Sequence, residues 1–283
     1  MAGPIGSSQW SYSSASGGFY DYQIEQSARF DSGGGGTNTS SRLYRTFGSP
    51  SSATIFTFSV WVKRSETYEN GGNTTWQQLI AKGNGVAGGG AAFGFESGGG
   101  TSGGLDNRDR LAWYGHSGSG GGSGTGDDRI EGQWRDTTGW YHLVMRCDTS
   151  QSAANKIRYY INGDGPKSRT TTNEPSGNWN NFHTATDVHN IGCGSNAQYG
   201  FDGYMAEFIY CDGQSLAPTS FGESKNGVWK PIEPSVTFGN LGFHLKFENA
   251  SALGNDSSGN DNDWSVANMG TDHKVLDSPT FGS

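Results

Sequence analysis

The chain has 283 residues, enough for one large domain or two small ones, with 32% hydrophobic residues, 13% aromatics and 47 glycines. So many aromatics exclude a disordered chain, and a net charge of −8 with only 19 Lys and Arg argues against a nucleic-acid partner, whose phosphates call for a basic patch. No stretch reaches the ~20 apolar residues of a membrane-spanning helix, and MAGPIGSSQW lacks the basic and apolar segments of a secretory signal, so folding in a cytoplasm is expected.

Residues 1–20 are rich in Gly and Ser without a period and read as an arm. YQIEQSARF (22–30) alternates as a strand does, and SRLYRTF (41–47) continues the pattern after a glycine turn. TIFTFSVWVKRS (54–65) is the clearest strand. Phe56, Phe58, Val60 and Val62 form its expected core face, with Ile55, Thr57, Ser59, Trp61 and Lys63 on the other. WQQLIAK (76–82), AAFGFES (91–97) and RLAWYGH (110–116) read as shorter strands, and GSGGGSGTGDDR (118–129) as a long loop. GWYHLVMRCD (139–148) and NKIRYYINGD (155–164) alternate again, the second ending in NGDG, whose glycines supply the positive φ of a hairpin turn. VHNIGCG (188–194) and YMAEFIYCD (204–212) follow, then a 3₁₀ or helical turn at 216–222, then VWKPI and GFHLKF.

The count is ten to thirteen strands with no sustained 3.6-residue period, which predicts an all-β sandwich of jelly-roll type. Cys147, Cys193 and Cys211 are odd in number and lack metal spacing, so thiols are expected over a Cys193–Cys211 bridge.

The ordered set FTFSVWVKRS, WYHLVMRCD, NKIRYYING, HNIGCG and FDGYMAEFIYCDGQSL resembles the concanavalin A-like, laminin-G-like jelly roll over residues 22–215. YQIEQSARF, GVWKPIEP, GFHLKFENAS, DSSGNDNDWSV and the final DSPTFGS narrow the resemblance to jelly-roll virion proteins of marine tailed phages. The resemblance implies an arm at 1–20, a jelly roll at 21–227 and an extension at 228–283 that packs on the sandwich or a neighbour. It also implies a non-enzymatic structural protein of the virion, made in the host cytoplasm and placed in an exterior capsid or tail appendage such as a decoration, fibre or spike. Its partners would be other virion proteins and further copies of itself, with trimers common among such appendages. The alternative is a carbohydrate-binding adhesin for glycans of the host surface.

Glu207, between Met205 and Ile209 on the alternation, is the obvious acid, but glycosidases need two carboxylates flanking one bond and no E-x-D-x-x-E occurs. Structural anchoring, which the resemblance also implies, is the expected role. The G-x-S-x-G at 100–104 and G-x-G-x-x-G at 83–88 sit in glycine loops without the strand and helix their chemistry requires. His142, inside WYHLV, reads as a satisfied sheet histidine. Related jelly rolls hold calcium at loop carboxylates, so Asp202, Asp212 and Asp164 are the calcium candidates, although Asx turns explain such residues without a metal. No other cofactor is expected. For a glycan, aromatic rings at rims are the candidates: Trp179, whose neighbours in SGNWNNFH are polar, with Tyr199, Trp113 and Tyr114.

Overall fold

In the computed structural model, residues 19–33, 38–67, 76–83, 90–96, 109–116, 125–169, 182 and 187–280 are described. The expected arm up to residue 18, Trp179, the G-x-S-x-G at 100–104 and most of 83–88 lie outside them. The strands are β1 (Ser27–Phe30), β2 (Arg42–Thr46), β3 (Ile55–Arg64), β4 (Gln77–Lys82), β5 (Ala91–Phe95), β6 (Leu111–His116), β7 (Thr125–Arg129) and β8 (Tyr141–Asp148). They continue as β9 (Ile157–Ile161), β10 (Val188–Ile191), β11 (Gly203–Asp212), β12 (Gly222–Lys225), β13 (Val228–Pro231), β14 (Phe243–Leu245), β15 (Ser265–Ala267) and β16 (Lys274–Val275). No helix among the described residues is long and apolar enough to cross a membrane.

Two antiparallel sheets face each other, as the alternation predicts. The front sheet runs β16-β1-β11-β3-β8-β9, with β14 also on β11, and the back sheet runs β15-β2-β10-β4-β5-β6-β7. The expected inner face of β3 is the observed one: Phe56, Phe58, Val60 and Val62 all enter the core between the sheets. Phe58 stacks on Tyr210 at 4.9 Å and on Phe93 of the opposite sheet at 6.3 Å. Such aromatic pairs are worth roughly 0.5–1.5 kcal/mol each beyond the area they bury.

Two local features depart from the sequence expectation. Strand β7 lies within the expected loop 118–129 and pairs with β6 across Ala112–His116. It is an edge strand held by backbone bonds and by ion pairs from Arg129 to Glu96 and Arg169 to Asp128, so it needs no apolar alternation. In β11 a bulge between Ala206 and Ile209 shifts the phase. Met205, Phe208 and Tyr210 therefore share the inner core, while Ala206, Glu207 and Ile209 turn outward, so Glu207 and Met205 do not share a face. The outer face of the front sheet is itself covered: Thr57 and Ser59 are buried, and Val144, Ile209 and Phe221 form a second cluster with Leu216, Val236 and Phe238.

The thiol expectation holds, since all three cysteines are free and buried. Burial pushes the Cys193 and Cys211 thiols up to about 12, which keeps them protonated and unreactive at neutral pH. The short turn expected near 216–222 is a 3₁₀ turn at Pro218–Ser220.

Residues 228–283 supply strands to both sheets: β14 and β16 to the front, β15 to the back. Phe243, Leu245, Phe247, Leu253 and Trp264 lie in the main core, where Trp264 meets Phe243 at 5.1 Å and Phe47 at 5.9 Å. A chain ending at Gly227 is therefore expected to lose its cooperative thermal transition by circular dichroism. Trp264→Ala alone is expected to cost about 3–5 kcal/mol in urea unfolding. A sharp transition in the truncated chain would show that residues up to 227 close a core without these side chains.

Candidate functional site

Strand β8 begins at the tip of the front sheet and places His142 on its outer face, in register with Trp61 of β3. The imidazole is fully buried, stacks on the indole of Trp61 at 4.7 Å and lies near-parallel to that of Trp229, with centroids 5.9 Å apart. Trp229 comes from the β12–β13 ribbon, which folds across this face. Its Nε1–H can only donate, and it points at His142 Nδ1 at 3.0 Å, so that nitrogen must accept. The ring proton is thereby assigned to Nε2, which donates to Ser59 Oγ at 2.8 Å. Burial without a charged partner pushes the imidazole down to about 3, so His142 is neutral across the physiological range. The expectation of a satisfied sheet histidine holds.

Trp229 is held by close backbone approach as well. A Cβ on Gly163 would lie 2.2 Å from the indole, and one on Gly222 would lie 2.6 Å from it. Gly163 belongs to the hairpin turn that the NGDG signature predicts. Asn162 and Gly163 take φ of +51° and +75°, and Ile161 and Asp164 exchange backbone bonds of 3.0 Å. Asn162 Oδ1 accepts the His142 backbone N–H at 2.7 Å, fastening the turn to β8.

Around this stack opens a cleft of about 690 Å³, walled by the rings of Tyr20, Trp61, Trp140 and Trp229. The amide of Asn162, the carboxylate of Asp164 and the hydroxyl of Ser224 share its lining. Trp140 is oriented from behind, because its Nε1–H donates to Asp277 Oδ1 at 3.1 Å and Lys63 holds the other oxygen at 2.9 Å. Beneath the ribbon, Lys230 bridges Asp21 and Glu223, which raises its ammonium and lowers Asp21 through the hydrogen bond the two share. Aromatic faces beside a few convergent polar groups are the usual make-up of a small-molecule site.

The candidate ligands read from the sequence fare differently, and of the cleft residues only Asp164 is among them. Trp113 is corrected: it is 1% exposed and packs in the core against Phe56, Phe58 and Phe182, so no face is left for a glycan. Alternation within β6 carries the warning, since Trp113 shares a face with Leu111, also in the core. Tyr199 is half-buried against Trp76 and Ala112 beside the back sheet, away from the cleft. Trp179 and the side chain of Tyr114 lie outside the described residues.

The calcium set is corrected too. Asp202 immediately precedes ten-residue β11 and Asp212 is its last residue, which puts them roughly 30 Å apart. The carboxylate of Asp212 is occupied by the backbone N–H groups of Ser51, Ser52 and Leu241 at 2.6, 3.1 and 3.1 Å. Asp202 is raised by burial and accepts from Ser32 Oγ at 3.4 Å, whereas Asp164 is lowered by its hydrogen bond from Lys167. Among the described residues no three His, Cys, Asp or Glu side chains gather as a metal site.

Glu207 sits in the β11 bulge at φ +50°, 5% exposed, receiving Tyr22 OH at 3.1 Å and His244 Nε2 in close contact. The void beside it measures about 10 Å³, room for about one water, and among the described residues Glu207 is the only carboxylate that lines it.

A model of the concanavalin A-like lectin/glucanases superfamily matches residues 31–213. Among solved structures, a protein from Bacteroides ovatus described as a putative carbohydrate binding protein is 13% identical at a TM-score of 0.51, with 87% of this chain and 58% of that one covered. Tailspike protein 2 of the Escherichia coli O157:H7 bacteriophage CAB120 is 14% identical at a TM-score of 0.42, covering 70% of this chain and 24% of the tailspike. The CBM40 of a Ruminococcus gnavus sialidase, bound to α2,3 sialyllactose, is 15% identical at a TM-score of 0.33, covering 54% of this chain and 74% of that one. At these identities the likeness is one of fold, and the chain spans less than two thirds of the first two. No curated protein matches the chain.

The buried imidazole makes stability depend on pH. Unfolded, His142 titrates near its ordinary value of 6.5; folded, it titrates near 3. Between these values the unfolded chain binds the extra proton, so stability is full above about 6.5 and falls as pH drops towards 3, with a slope of up to ~1.4 kcal/mol per unit from this residue. Urea midpoints between pH 7 and 4.5 are expected to fall more steeply in the wild type than in His142→Phe; equal slopes would show that the imidazole charges inside the fold.

Proposed function

The chain belongs to the concanavalin A-like lectin/glucanases superfamily, and from that premise we propose that it binds carbohydrate without transforming it, through the cleft of Tyr20, Trp61, Trp140 and Trp229. The observation that carries this reading is the convergence of Tyr20, Trp140 and Trp229 on one open cleft, with the 6%-exposed Trp61 in its wall, beside Asn162, Asp164 and Ser224. Indole faces take up the C–H faces of sugar rings, while the polar groups fix orientation through hydroxyls. The absence of catalysis is supported by the enclosure of Glu207 and by Asp164 being the only carboxylate lining the cleft among the described residues. A bond-cleaving pair needs a second carboxylate roughly 5–10 Å away.

The setting we infer is a virion, with the chain in an exterior capsid or tail appendage among copies of itself and other virion proteins, and a host surface glycan as the ligand. What supports this is the resemblance of YQIEQSARF, FDGYMAEFIYCDGQSLAPTSFGE, GVWKPIEP, GFHLKFENAS, DSSGNDNDWSV and DSPTFGS to jelly-roll virion proteins of marine tailed phages.

Trp229→Ala is expected to weaken binding on a glycan array by roughly 30-fold, the loss of about 2 kcal/mol that a central tryptophan commonly carries. Trp113→Phe, a change inside the core, is expected to leave binding intact. Equal binding by the wild type and Trp229→Ala would remove the cleft from consideration. Electron microscopy of intact particles tests the setting: density for the chain on the exterior is expected, and its absence from the particle would refute a virion role.

A further inference from the structure

We propose that the cleft selects neutral glycans and discriminates against acidic ones, an inference that rests on the carbohydrate-binding reading above and specifies its ligand.

The lining contains no Lys, Arg or His among the described residues, and the one group in it that is charged at neutral pH is the carboxylate of Asp164. A sialic acid, a hexuronate or a sulfated sugar brought onto these rings would meet the Asp164–Lys167 pair, whose ammonium is already engaged, with no other cation in the wall to receive its anion. The neighbouring ammonium groups are already committed. Lys63 is held by Asp277, Lys167 by Asp164, and Lys225 and Lys230 by Asp21, with Glu223 as a second partner of Lys230. Drawing any of these to a ligand would break an existing ion pair and strand its carboxylate.

Two of the three indole donors are committed as well. Trp229 Nε1–H goes to His142 and Trp140 Nε1–H goes to Asp277, so both rings offer the ligand carbon faces and edges only. The polar contacts left are those that neutral hydroxyls satisfy. Asn162 spends its Oδ1 on the His142 backbone, which leaves its Nδ2 as a donor. Ser224 can donate or accept, and Asp164 accepts. A pyranose hydroxyl both donates and accepts, so it complements all three.

A cation is disfavoured by the same arrangement. An ammonium cage needs ring faces around one point and an uncompensated negative charge. Here the carboxylate in the wall, Asp164, is already paired with Lys167.

The test titrates the full chain, by calorimetry and on an array, with neutral gluco- and galacto-oligosaccharides and their hexuronate and sialylated counterparts, with choline as a cationic competitor. Neutral ligands are expected to bind at least tenfold tighter than their acidic counterparts. Ser224→Arg, at an exposed position on β12, is expected to narrow that gap about fivefold by adding a cation to the wall. Acidic glycans binding as tightly as neutral ones, in a manner lost in Trp229→Ala, would overturn the neutral preference and leave the carbohydrate reading standing. Displacement by choline would overturn it in favour of an ammonium ligand. Binding to no member of either set, or binding indifferent to both Trp229→Ala and Ser224→Arg, would overturn the carbohydrate reading and this inference together.

Discussion

A buried carboxylate must find donors, and much of the front sheet's outer face is arranged around that demand at Glu207. The bulge puts one extra residue into β11 opposite β3, and Glu207 occupies it at a φ that an L-residue holds at a cost of roughly 1–3 kcal/mol. On the other side of β11 the bulge divides the partners: β1 pairs as far as Met205, and β14 begins at Phe208. The two donors to the carboxylate come from the segments so divided, Tyr22 ahead of β1 and His244 within β14. One side chain thus ties the segments around Tyr22 and His244 to the strand at the sheet's centre.

The same economy of polar groups runs across the face. Thr57, Ser59 and His142 are polar residues on a buried surface, and each has partners: Thr57 with Gln214 and Leu216, Ser59 with His142, and His142 with Trp229. Because Trp229 Nε1–H is drawn inward to His142 and Trp140 Nε1–H goes to Asp277, these two rings present hydrocarbon to solvent. The aromatic character of the cleft is in this sense a by-product of satisfying the hydrogen bonds beneath it.

Period-two alternation made the sandwich legible, and β3 shows why: a core face of Phe56, Phe58, Val60 and Val62 leaves one choice of side. The alternation misled where backbone geometry overrode it, at the Glu207 bulge, and went unseen in β7, whose sequence TGDDR is stabilised by pairing and ion pairs. The NGDG turn was legible because glycine conformation is local. The cleft was not, because its walls meet only through tertiary packing. Trp61 reads as the polar-side residue of a strand, Trp140 as a strand start and Trp229 as part of a short ribbon, and nothing local joins them. Trp113 and Tyr199 attracted notice as rim aromatics, but a sandwich with this many rings spends most of them inside.

The cleft draws on Tyr20, Trp61, Trp140, the 162–164 turn, the β12–β13 ribbon and Pro279. These span nearly the whole length of the chain, from before the first strand to after the last. No fragment carries the complete set, and a nascent or partly unfolded chain lacks it even when its central sheet has formed. A ligand that needed every wall would be held only by molecules in which Tyr20 and Pro279 have both docked, and it would stabilise the finished state at the expense of all the others.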